Sequence, residues 1–218
     1  MRRKNLLVGI LLAAILLATA GLAEANVVAN PGFENPMGNN VDPDGWWGMR
    51  ANPNAPDVEM KTSTAEQYAG SQSGRITMSE YTGQDANLWA GYGQSVNVSA
   101  GDPIFASAWV KCTDDYGANA KLQIEFKDIN GSAINSTFDT APDGTIDWTY
   151  LEVSGVNAPT GTVSAIVNLL VEKGASVGHG EYYWDEANFE VVPEPASLIL
   201  LGTGLVGLFG VSRKKRRA

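Results

Sequence analysis

From Lys121 to Lys127 the chain alternates strictly, with Leu122, Ile124 and Phe126 on one side and charged or amide side chains on the other. Side chains of an extended backbone point to opposite faces in turn, so this spacing predicts a strand with one buried face. The pattern recurs. Ile104, Ala106, Ala108 and Val110 alternate in the preceding segment, with Trp109 on its other face, and Val163, Ala165, Val167 and Leu169 repeat it later. Tyr183, Asp185, Ala187, Phe189 and Val191 are expected on one face of a last strand. Asn130-Gly131 predicts a type I′ hairpin leading into a strand from Ser132 to Phe138. Turn-rich gaps at 42–48, 52–57, 114–119 and 141–147 separate these runs, and no stretch between Asn26 and Val192 keeps a helical period. The pattern predicts an all-β domain of eight or nine strands, a two-sheet sandwich of jelly-roll type.

Both ends break the alternation. Arg2, Arg3 and Lys4 precede an apolar run from Leu6 to Leu17, and Ala23-Glu24-Ala25 has the small-x-small pattern of a signal-peptidase site. Residues 1–25 are therefore read as a signal peptide, cleaved after Ala25. At the other end, Pro193-Glu194-Pro195 is followed by an uncharged apolar run from Ala196 to Val211 and then by Arg213, Lys214, Lys215, Arg216 and Arg217. Five cations after a greasy helix stay on the cytoplasmic side. At ~1.5 Å per residue the apolar run reaches about 24 Å, short of the ~30 Å hydrocarbon core. Such a helix suits transient membrane insertion.

In their order and position these three pieces resemble the PEP-CTERM sorting signal of bacterial envelope proteins, over residues 193–218. The resemblance implies export to the cell envelope, cell surface or extracellular matrix. It also implies processing by an exosortase at the Pro193-Glu194-Pro195 motif, and a C-terminal membrane anchor before that processing. Signal peptidase would act at the N-terminal site.

Charge narrows the partners. The segment from Asn26 to Val192 keeps seven of the fifteen Lys and Arg but twenty-two of the twenty-four Asp and Glu, a net charge near −15. Nucleic acid is excluded, because its binding runs on counterion release onto Lys and Arg. Cys112 is the only cysteine, so the chain has no internal disulfide, and a small buried hydrophobe on a strand is the expected role. With one Cys and one His, His179, there is no His-cluster zinc site and no Cys/His nucleophile. No G-x-S-x-G elbow accompanies His179.

Asn30-Pro31-Gly32-Phe33-Glu34 opens the domain. Gly45-Trp46, the segment from Tyr68 to Arg75, Gln94 to Val98, Ala106 to Lys111, Trp148 to Leu151 and finally Tyr182 to Ala187 follow. In this order they resemble the carbohydrate-binding modules of families four and nine, galactose-binding-like jelly rolls, across nearly all of 26–192. The resemblance implies a structural calcium ion held by the Gly32 carbonyl, the Glu34 carboxylate, a carbonyl near Gln72, and Asp185. Calcium takes six to eight hard oxygens at flexible geometry, which carboxylates and carbonyls supply. Sugar rings need flat apolar surfaces for their C–H faces and amides or carboxylates for their hydroxyls. Trp89 falls where the modules often present a stacking ring. Trp46, Trp47, Tyr92 and Tyr116 are further candidates, with Asn87, Gln94 and Gln123 for hydrogen bonds. Trp109 and Trp148 sit inside strand patterns and are expected to be core or sheet-packing residues.

The expectation is an exported, non-catalytic protein that binds polysaccharide. Two alternatives stand beside it: a structural matrix protein without sugar affinity, and a small glycoside hydrolase, which would need a pair of carboxylates at defined spacing. No fixed acidic motif marks such a pair.

Overall fold

Ten strands follow one another among the residues that the computed structural model describes, 26–35, 44–51, 58–78, 89–173 and 179–192. The leader, the sorting segment with Pro193, Glu194 and Pro195, and Asn87 lie outside them. The strands are β1 (Trp47–Arg50), β2 (Val58–Ser63), β3 (Ser73–Met78), β4 (Trp89–Asn97), β5 (Pro103–Tyr116), β6 (Ala118–Lys127), β7 (Ala133–Thr140), β8 (Ile146–Asn157), β9 (Ser164–Lys173) and β10 (His179–Val191). They form two five-stranded sheets, in the orders β1-β4-β9-β6-β7 and β2-β3-β10-β5-β8, antiparallel throughout. Asn26–Val191 makes up one compact unit. Among the described residues no helix is long and apolar enough to cross a membrane.

The alternation places the core. Leu122, Ile124 and Phe126 of β6, with Ala165, Val167 and Leu169 of β9, are fully buried from the first sheet. Ile76, Ala108, Val110, Trp184 and Phe189 are buried from the second. Each such large side chain contributes about 1.5–3 kcal/mol by leaving water. On β4 the even positions face this core: Ala90, Tyr92, Gln94 and Val96. Tyr92 is therefore not a surface ring. Its hydroxyl donates across the sandwich, with the Arg75 carbonyl at 2.8 Å and that of Lys61 at 3.1 Å, tying the two sheets together.

Three local expectations change. The last strand does not keep one face throughout. Tyr182 and Trp184 point to the core in its first half, then a register shift between Asp185 and Asn188, with Glu186 at φ +47°, turns Ala187 and Phe189 inward. A one-residue slip exchanges the faces of a strand, so Tyr183 and Asp185 lie on the outer side. At the β6–β7 turn Gly131 alone takes positive φ, whereas a type I′ turn needs it at both central residues. The Asp128 carboxylate accepts the N–H groups of Asn130 and Ser132 and builds a wider turn instead. Val163 precedes β9 and is exposed.

Cys112 faces the core from β5, its thiol donating to the Asp114 carbonyl at 3.2 Å, and burial pushes the thiol up to about 11. Only the thiolate is an effective nucleophile. The folded protein should accordingly show no reaction with an aromatic disulfide reagent at pH 8 over minutes, and one thiol per chain in denaturant. Stoichiometric labelling without denaturant would contradict this placement.

Candidate functional site

The outer face of the first sheet carries a groove. Strand register aligns Trp47, Gly93, Asn168, Gln123 and Phe138 in one row across the five strands. The next row holds Met49, Gly91, Leu170, Lys121 and Thr140. The two glycines leave bare backbone against which neighbouring groups pack. A Cβ on Gly93 would lie 2.8 Å from Trp47 Nε1 and 2.9 Å from Met49 Cε, so the side chains of β1 lie down over bare backbone. A Cβ on Gly91 would meet the Leu169 carbonyl at 2.5 Å. An open groove of about 240 Å³ on this face is lined by Met49, Trp89, Gln123, Glu125, Asn168, Leu170 and Glu172.

Its chemistry is mixed. Trp89, Met49 and Leu170 form the apolar part, and Leu170 is buried although it points away from the core cluster. Asn168, itself buried, donates Nδ2 to Gln123 Oε1 at 3.2 Å, while its Oδ1 is buried without a partner. The carboxylates are engaged: Glu125 pairs with Lys127 at 2.9 Å, and Glu172 with Lys121. Lys121 also sits 4.6 Å from the centre of the Phe138 ring.

Trp89 and Gln123 are the two sequence candidates that meet in this groove. Trp47 stands beside it on β1, over Gly93. Trp46 does not belong to it: it is buried, its ring stacked on Phe33 at 5.3 Å and its indole N–H donating to the Asn30 carbonyl at 3.1 Å. Trp46 precedes β1 and is buried, whereas Trp47 is the first residue of the strand and only partly buried. Gln94 clamps the N-terminal segment from inside, accepting from the Ala29 N–H at 2.6 Å and donating to its carbonyl at 3.1 Å. Tyr116 ends β5, a strand of the other sheet. Met49, Glu125, Asn168, Leu170 and Glu172 were not foreseen. For β6 and β9 the signal was present, since outward positions are the complement of the buried alternation.

The expected metal residues lie around the start of β3 and the register shift of β10 in the other sheet, and among the described residues no group of three or more His, Cys, Asp or Glu side chains is arranged to hold a metal ion. The 30–34 segment makes a tight turn, with Asn30 and Phe33 both at positive φ and the Phe33 ring buried against Gly74 and Tyr92. Glu34 then reaches the 71–72 backbone. Its Oε1 accepts the N–H groups of Ser71 (2.8 Å) and Gln72 (3.0 Å), and its Oε2 accepts the Ser71 hydroxyl at 2.7 Å. The Ser71 hydroxyl foremost holds this carboxyl below its ordinary value.

Asp185 is fully buried. Its Oδ2 accepts from the backbone of Tyr68 (2.8 Å) and Ala69 (3.1 Å), and its Oδ1 from that of Glu186 (2.8 Å). Burial outweighs these donors and pushes the carboxyl up to about 6. Gly32 completes the cluster, since a Cβ there would lie 3.0 Å from Glu186 Oε1 and 3.3 Å from Asp185 Oδ1. Glu186 is the acid that sequence reasoning missed. Among the described residues, none of the ion pairs reaches Glu34, Asp185 or Glu186.

Tyr68, pinned by Asp185 through its backbone, lays its ring on Trp109 at 4.0 Å and meets the edge of Trp148 at 5.8 Å. Trp109 also tilts against Tyr150 at 5.2 Å. Trp109 and Trp148 thus pack on the outer face of the second sheet and clamp the 68–72 loop.

Residues 191–216 match the PEP-CTERM protein-sorting motif. No curated protein matches the chain. Among solved structures it is similar to the enzymatically active domain of tailspike protein 4 from bacteriophage CBA120, at 17% identity and a TM-score of 0.56, over 77% of this chain and 22% of that one. A family 16 carbohydrate-binding module is similar at 22% identity and a TM-score of 0.50, over 75% of this chain and 99% of the module. A CBM4 structure is similar at 14% identity and 0.50, over 75% and 98%. The sandwich has the jelly-roll fold of these modules. The motif marks the chain for export to the cell envelope or surface and for exosortase processing.

Because burial makes the folded chain hold the Asp185 proton more tightly, that proton's stabilising effect is complete below pH 3.8 and gone once pH passes about 6. In chelator-containing buffer, the protein should lose stability relative to Asp185→Asn between about pH 4 and 6, by up to about 3 kcal/mol. Urea titrations at a series of pH values measure this, and a difference that moves the other way rejects burial as the dominant effect.

Proposed function

We propose that the exported chain is a non-catalytic carbohydrate-binding protein of the cell surface or exopolysaccharide matrix, and that the groove of the first sheet takes a stretch of glycan. One observation carries this reading: Trp89, Met49 and Leu170 share a single open groove with the Asn168–Gln123 amide pair. The ring and aliphatic groups suit the C–H faces of sugar rings, and the amides suit their hydroxyls. The module-like fold supports the reading, as does the sorting motif, which sends the chain to where such polymers lie. Glu125 and Glu172 serve the groove as lysine-paired walls in this reading, not as an acid and a nucleophile. Release of reducing sugar from a glycan panel would bring back the hydrolase alternative.

Calcium belongs to the same proposal, as a clip and not a reactant. Gly32, Glu34, Asp185 and the backbone near Gln72, joined by Glu186, would hold it. It would supply the positive charge that Glu34, Asp185 and Glu186 take from no side chain among the described residues. The structural matrix role is the second reading, and the placement of Trp46 and Tyr92 in the core favours it by leaving fewer rings for a ligand.

Trp89→Ala should weaken retention on immobilised polysaccharide at least tenfold, about 1.4 kcal/mol, with an unchanged melting curve. Equal retention of both proteins, or retention of neither, favours the structural role. Calcium at a hundredfold excess over its dissociation constant should stabilise the fold by about 2.7 kcal/mol, reversibly with a chelator. A melting temperature indifferent to calcium would remove the ion from the proposal.

A further inference from the structure

We infer that, before processing, one end of the sandwich rests on the lipid surface with Ile129, Ile134 and Val163 in the headgroup layer; this rests on the sequence reading of 196–211 as a membrane-inserted run. β10 delivers the chain to that end. Its last residue, Val191, pairs with Ile104 near the start of β5, and Pro103 pairs with Asn157 at the end of β8. The connection that follows, 158–163, crosses to the first sheet, where the Val163 N–H donates to the carbonyl of Lys127, the last residue of β6, at 3.0 Å. A Cβ on Gly161 would lie 3.7 Å from Ile134 Cδ1, on β7. Ile129 stands in the turn between β6 and β7. The end of β10 and all three side chains thus share one end of the sandwich. Ile129 is 81% exposed, Val163 43% and Ile134 38%, and Val192, where the chain leaves β10, is 40% exposed. Exposed aliphatic groups gathered at one place mark a contact surface.

Chain length selects the occupant. Val192, Pro193, Glu194 and Pro195 alone separate β10 from the apolar run that begins at Ala196. At ~3.5 Å per residue this joint reaches at most about 17 Å, of which the headgroup layer takes about 5–7 Å. A folded partner about 30 Å across does not fit in what is left. Lipid does. Charge is not the attraction: Lys127 is paired with Glu125 at 2.9 Å, and Asp102 and Asp128 accept backbone N–H groups. The contact is apolar and needs neither anionic lipid nor low salt.

The full chain in phosphatidylcholine vesicles tests the inference. Cys112 is buried and stays unlabelled, so one introduced thiol reports its own position. Ile129→Cys labels this end, and Asp143→Cys labels the β7–β8 loop at the other. Headgroup-borne nitroxide lipid should quench a dye at 129 at least twofold and leave a dye at 143 unquenched, at low and high salt alike. Ile134→Asp together with Val163→Asp should abolish the quenching with an unchanged melting curve, since both side chains are exposed. Equal quenching at the two positions, quenching lost at high salt, or quenching that survives the aspartates in a folded chain overturns the inference. A chain that does not float with the vesicles overturns the membrane reading of 196–211 itself.

Discussion

A carboxylate closed off from the surface organises one side of this molecule. Asp185 is buried at a register shift of β10, and its charge is tolerable only because three backbone N–H groups converge on it. Two of those donors belong to the loop that follows β2, so the bond that satisfies Asp185 also fixes that loop. Glu34 does the same a few residues further along, at Ser71 and Gln72. Residues 30–34, 68–72 and 185–186, far apart along the chain, thus become one knot. Its backbone is strained, with Asn30, Phe33 and Glu186 all at positive φ. Such conformations cost about 1–3 kcal/mol each and persist where surroundings over-determine them. Here the buried Phe33 ring and the carboxylate bonds do so.

The groove lies on the outer face of the other sheet. Glycines at consecutive outward positions of β4 let the β1 side chains lie on bare backbone, and one of those side chains, Met49, lines the groove. The strands beneath are held by core packing and by Tyr92, which reaches from β4 to carbonyls of β2 and β3. A preformed concave surface on a rigid scaffold loses little entropy when a ligand arrives. The amide pair at its centre and the lysine-paired carboxylates at its side give it polarity without a free positive charge.

Much of this was legible in advance, for a physical reason. A half-buried strand must alternate, so Leu122, Ile124 and Phe126, or Ala165, Val167 and Leu169, announced both the strands and their inner faces. The two-sheet sandwich followed from such runs and the turns between them. Of the four residues read as metal ligands, Gly32 lies against Asp185 and Glu34 accepts from the Gln72 N–H. The candidate rings were read less well. Trp46, Trp47, Trp89 and Tyr92 are all aromatic residues near turns or strand ends, and composition cannot say which way a ring points. Tyr92 and Trp46 went inward; Trp89 went to the groove. Asn168 and Leu170 passed unnoticed between more obvious core residues.

By itself, then, the sequence determined the strand pattern, the all-β class, the acidic charge of the domain, and the sorting motif at the C-terminus. These are properties of neighbours along the chain, carried by period, composition and short linear signals. Only the tertiary structure decided which residues form the groove and how Asp185 is satisfied. Both depend on register between strands distant in sequence, and on a bulge that exchanges the faces of β10 halfway along its length. A period of two defines two faces but does not label them, and one slipped residue swaps inside for outside.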